Sequence, residues 1–165
     1  MLAKRLTRDA LLLTVALVIH VLEAQLPPLV PLPGVKLGLA NIVTVLAMFR
    51  IGAKDSFAIL ICRIFLGSVF IGNWMAFAYS LSGGLFSYLA MLLLRKLLTE
   101  KQVWVCGAIA AIFHNAGQLL TAMLLFRTAA VAVYFPVLIA SGVVTGAFTG
   151  LCAQLLAARL DRVKK

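Results

Sequence analysis

Residues 137–165 read VLIASGVVTGAFTGLCAQLLAARLDRVKK. No charged residue occurs from Val137 to Ala158, and then Arg159, Arg162, Lys164 and Lys165 follow in quick succession. A bilayer core is crossed by about 20 apolar helical residues, and basic flanks stay on the cytoplasmic side. The stretch therefore reads as a membrane span that ends inside. Moving outward from it, five further apolar runs occupy roughly 9–26, 37–49, 56–72, 75–94 and 103–125. Of fifteen Lys and Arg residues, twelve lie in the N-terminal tail, the second and fourth loops and the C-terminal tail. The odd loops hold only Lys36 and Arg127, and Arg63 falls inside a run. That alternation predicts an even number of crossings with both termini cytoplasmic.

Composition agrees with this reading. Hydrophobic residues make up 64% of 165 positions and the mean hydropathy is +1.10, well beyond a soluble domain. Six crossings leave room only for short loops, so residues 1–165 are expected to form one all-α membrane domain of six transmembrane helices in the cytoplasmic membrane. The net charge of +10 is explained by cytoplasmic helix ends facing anionic headgroups, not by nucleic acid. Cys62, Cys106 and Cys152 are isolated; they predict neither disulfides nor a metal site and read as small packing residues. The first run has the basic start of a signal peptide but no small-x-small cleavage site, and is read as a retained helix.

Between the first two runs, Pro27, Pro28, Pro31, Pro33 and Gly34 break the chain. Proline removes backbone donors and fixes φ, so 27–36 is expected to be an irregular external loop, either a lid over a cavity or a stiff connector. Gly72-Asn73-Trp74 predicts a tight external hairpin. Gly142, Gly146 and Gly150 recur every four residues, a spacing that lets helices approach closely and reads first as a packing seam. Ala10, Thr14 and Ala16 offer a weaker small-residue face for a partner helix.

Charged and polar groups inside spans cost about 2.5–3.5 kcal/mol per charge on insertion scales, and usually pair or face a cavity. Arg63 lies near mid-depth of the third run. Glu23 closes the first, with His20 one turn earlier. Lys36 opens the second, with Asn41 about a turn deeper. Tyr79 and Ser80 lie in the fourth, and His114, Asn115 and Gln118 in the fifth. Each also has a structural reading, as an interfacial anchor or a helix-to-helix hydrogen bond. Their occurrence on five runs predicts a polar pocket in the outer half, with Lys36 and Arg63 supplying positive charge. The chain has five acidic residues and no DDxxD-type pair to hold magnesium against a diphosphate. No P-loop, GxSxG or HExxH pattern occurs. A non-enzyme that needs no cofactor and no metal is expected.

The stretch Pro33-Gly34-Val35-Lys36-Leu37-Gly38-Leu39-Ala40-Asn41 resembles the signature of the Gx transporter family, whose members are often labelled heptaprenyl diphosphate synthase component I. Arg63-Ile64-Phe65-Leu66-Gly67 and Tyr79-Ser80-Leu81-Ser82-Gly83-Gly84 extend the resemblance over most of the chain. The family is similar in size and six-span plan to the substrate-binding S-components of energy-coupling factor transporters. The resemblance implies an S-component-like bundle that captures a small, anionic or polar-aromatic, vitamin-like solute from outside. A transmembrane coupling subunit and ATPases would then drive transport, docking on the small-residue face of span one. The synthase label implies instead a noncatalytic membrane subunit that binds a prenyl diphosphate, lipid or quinone. A purely structural scaffold is the third reading.

Overall fold

The computed structural model describes residues 2–25 and 38–163. They form six α-helices: α1 (Leu2–Gln25), α2 (Asn41–Arg50), α3 (Ala53–Ile71), α4 (Trp74–Leu94), α5 (Val103–Phe126) and α6 (Phe135–Val163). Short 3-10 turns at Glu100–Gln102 and Ala130–Tyr134 precede α5 and α6. No strand occurs among the described residues. Local chemistry marks the ends. Gly72 closes α3 in the left-handed region at φ +68°, where a missing Cβ removes the steric penalty. Asn73 then caps α4, its Oδ1 accepting the Ala76 N–H at 3.1 Å. The tight α3–α4 hairpin expected from Gly72-Asn73-Trp74 is therefore present. Pro136 falls in the first turn of α6, where no intrahelical donor is lost.

Three helical segments are long and apolar enough to cross a membrane: Trp74–Leu94, Glu100–Phe126 and Ala130–Arg162. Their outer faces are strongly apolar; Leu93, Leu124 and Val144 are each 70% exposed. Such continuous apolar surface has no place in water. The second expected span, the shortest of the six, is represented among the described residues by α2. Its ten residues rise only about 15 Å, half a hydrocarbon core. Val43 to Met48 are six consecutive buried residues, so α2 is enclosed on all sides, the condition of an interior helix. α1 and α3 have the length to cross but carry charge within it, including Arg8, Asp9 and Glu23 in α1 and Lys54, Asp55 and Arg63 in α3.

Packing runs α1–α3–α4–α5–α6, and α2 sits inside this arc against α1, α3 and α6. Val45, Leu46, Met48, Leu60, Ile64 and Met91 form the main core around it. A second cluster joins Ala16 to Val43, Ala47 and Ile59. Ala16 thus faces inward and cannot serve an external docking face, whereas Ala10 and Thr14 are exposed. The glycines of α6 do form a seam. Gly146 and Gly150 lie on α5 so closely that an added Cβ would stand 2.4 Å from the Gly107 carbonyl oxygen and 2.8 Å from the Trp104 Cα. Cys106 is buried and Cys152 half-buried, but Cys62 is exposed on α3 and packs nothing.

One end of the bundle gathers ion pairs. Arg5 and Arg8 of α1 bind Asp55 at the start of α3, and Arg8 also binds Asp9. Arg50 at the end of α2 binds Asp161 of α6 and reaches Glu100 at 3.9 Å. It also donates to the Ala157 carbonyl at 2.9 Å. Four of the five acids are therefore engaged with arginines here. The fifth, Glu23, lies elsewhere.

Candidate polar site

Helical spacing brings a few polar side chains of each helix onto one inward face. On α1, His20 and Glu23 are three residues apart. On α5, His114 and Gln118 are four apart, so each pair shares a side of its helix. α3 contributes Arg63, α4 contributes Ser80, and the start of α2 contributes Asn41 with the preceding Gly38. All of these line a single cavity, with Ile64 as an apolar wall. Seven polar side chains from five helices thus meet at one place.

Burial is deep. Arg63 is 5% exposed and Glu23 9%. The Arg63 Nη2 donates to Asn41 Oδ1 at 3.3 Å, while its Nε is buried with no hydrogen-bond partner among the described residues. Glu23 uses Oε1 to accept the backbone N–H of Gly38. That bond satisfies irregular backbone just before α2, where Gly38 adopts φ +68°. Backbone donors outside a helix need a partner when buried, and here a carboxylate supplies it. The cavity is lined by one guanidinium and one carboxyl group together with imidazole and carboxamide side chains.

Two glycines make the convergence possible. A Cβ on Gly67 would lie 2.5 Å from His20 Cδ2, and one on Gly83 would lie 2.9 Å from His114 Cε1 and 3.0 Å from Gln118 Cγ. Each histidine rests on bare backbone of the facing helix. A third close approach, Gly117 against the Ser82 carbonyl, is reinforced by Ser82 Oγ donating to the Gly117 carbonyl at 2.9 Å and fixes α4 to α5.

The cavity is narrow, about 30 Å³, close to the volume share of one water molecule. The polar side chains thus meet in a tight space, because the small residues that admit them also let the helices approach closely.

Of the nine residues singled out from sequence, Glu23, Asn41, Arg63, Ser80, His114 and Gln118 line the cavity. Asn115 serves elsewhere: its Nδ2 donates to the Leu138 carbonyl at 2.8 Å and ties α5 to α6. Tyr79 is half-buried and does not line the cavity. Lys36, with the loop 27–36, lies outside the described residues. His20 belongs to the cavity although sequence gave it only as a neighbour of Glu23 on the same face. Among the described residues no group of three or more His, Cys, Asp or Glu side chains could hold a metal ion.

A family model described as heptaprenyl diphosphate synthase component I matches residues 12–156. No curated protein and no solved structure matches the chain.

Proposed function

The chain belongs to the heptaprenyl diphosphate synthase component I family, and we propose, from its resemblance in size and six-span plan to solute-binding membrane subunits, that it is a membrane subunit that captures a small polar solute. In this reading the chain crosses the cytoplasmic membrane with both termini inside. α1 and α3 cross with Glu23 and Arg63 turned inward, and α2 marks the remaining, discontinuous crossing. Discontinuous helices with their N-termini toward a central site are a recurring way of holding anionic groups at membrane depth. The start of α2 opens on the cavity beside Arg63.

The observation that carries the reading is the meeting of His20, Glu23, Asn41, Arg63, Ser80, His114 and Gln118 in one place inside an otherwise apolar bundle. Arg63 and the α2 terminus would take an anionic or acceptor group of the solute, and Glu23 a donor. The flanking imidazoles and amides suit a polar-aromatic ring. Tyr79, and Lys36 outside the described residues, are further candidate ligands in this reading. A coupling subunit and ATPases would supply energy. In this reading the chain's own role is binding, in keeping with a sequence that has no DDxxD-type pair for a magnesium diphosphate.

The family description favours a second reading, a noncatalytic membrane component of prenyl diphosphate synthesis. Mass spectrometry of small molecules extracted from gently purified protein separates the two. A water-soluble metabolite that is lost from Arg63→Gln supports the first. A prenyl chain or quinone, retained whether or not Arg63 is replaced, overturns it in favour of the second.

A further inference from the structure

The ion-paired end of the bundle carries a groove of about 710 Å³ between α1 and α6, floored by the end of α2. That is more than twenty times the ~30 Å³ share of a water molecule and falls in the range of sites for sizeable organic ligands. Its walls divide by chemistry. Leu11, Leu12, Leu46, Ile51 and Leu160 give an apolar lining, and Lys4, Arg8 and Arg50 give three cations. The single carboxylate in the lining is Asp161, which pairs with Arg50. Arg8 is shared between Asp9 and Asp55. Lys4 makes no ion pair among the described residues.

An apolar slot with surplus positive charge at its rim suits a molecule with a long apolar tail and an anionic head. Leu11 and Leu160, on the two helices that border the groove, are themselves largely exposed, so the slot is continuous with the outer apolar surface. A tail can therefore enter sideways from a bilayer. A water-soluble anion would use the cations and leave the leucines uncovered. A partner helix would cover the leucines and strand the Lys4 ammonium.

We propose that this groove seats one anionic phospholipid, its phosphate at Lys4 and Arg8 and an acyl chain along Leu11, Leu12 and Leu160. The proposal rests on the membrane reading and not on the polar cavity, so it stands or falls separately from solute capture.

Native mass spectrometry of the full chain in mixed micelles tests it, with phosphatidylglycerol and phosphatidylcholine offered in equal amounts. One phosphatidylglycerol should be retained in preference to phosphatidylcholine. Retention should fall several-fold in Lys4→Gln, which removes the free ammonium, and in Leu160→Trp, which fills the slot; both sites are exposed and should leave the fold intact. Equal retention of the two lipids, or retention unchanged in both variants, overturns the proposal. So does a groove that takes neither lipid, which would assign it to a protein partner.

Discussion

The imidazole of His20 lies on the backbone of Gly67, with Cδ2 2.5 Å from the position a Cβ there would occupy. α1 is therefore registered against α3 by a side chain that also lines the polar cavity. Gly67→Ala must push the ring away or part the helices. Overpacking of this kind costs roughly 1–3 kcal/mol. We expect thermal unfolding in detergent to show that loss, and solute retention to fall with it. A variant with unchanged stability and retention would show that the ring is free to move aside.

Arg63 is the cation of the cavity and Glu23 its counterweight. Arg63→Gln should reduce solute retention at least tenfold, about 1.4 kcal/mol. It should also destabilise the protein by roughly 1–3 kcal/mol, by leaving Asn41 and Glu23 without a positive neighbour. Adding Glu23→Gln should restore part of the stability and none of the binding. Equilibrium binding and unfolding on the same three proteins check both parts; recovery of binding in the double variant would assign Arg63 a structural role only.

Asn115 and Gln118 are three positions apart, yet Gln118 lines the cavity while Asn115 bonds to α6. Asn115→Ala strands the Leu138 carbonyl and should cost roughly 1–3 kcal/mol of stability, with solute affinity intact in the folded fraction. Gln118→Ala should do the reverse, weakening retention with a smaller loss of stability. Side-by-side titrations of the two variants decide the matter. Equal effects would dissolve the distinction.

That pair also shows how much of the site was legible in the sequence. Successive helical residues turn by about 100° at 3.6 per turn, so His114 and Gln118 share a face, and Asn115, three residues before Gln118, is within reach of the same side. Neither polarity nor periodicity separates Asn115 from the other two; its bond to the Leu138 carbonyl does. His20 was recoverable by the same argument, being three residues before Glu23. The seats on Gly67 and Gly83 were not, since a sequence does not say what a glycine faces. α2 was harder to read for another reason. Its apolar run matches a membrane span in composition, and a short buried helix has the same composition as lipid-facing surface. Only its ten-residue length favours an interior helix, and the proline-rich stretch before it obscured where it starts. The positions of α4, α5 and α6 were clear because each is long, uncharged through its middle and bounded by turn or basic residues.

At the ion-paired end, hydrogen bonding from Arg5 holds the Asp55 carboxyl below its usual range; the nearby charges of Arg5 and Arg8 act in the same direction. A carboxyl whose folded value is depressed stabilises the fold at pH values above its unfolded value, about 3.9. That contribution is lost as pH falls through the lower, folded value. Wild type should therefore exceed Asp55→Asn in melting temperature at pH 7, and the gap should close as pH is taken below about 4. Added salt should narrow it as well. A gap independent of pH would mean that the carboxylate's charge is irrelevant to the α1–α3 junction.

The enclosure of α2 bears on how the chain is made. Domains emerge from synthesis N-terminal part first, so the helix at the centre is produced before the one that completes its surroundings. Leu46 and Met48 must wait beside α1 and α3 until the later-made α6 arrives and Arg50 fastens onto Ala157 and Asp161. The shelter of α2 is thus completed out of chain order, and a chain interrupted before α6 would leave its apolar residues without their last cover.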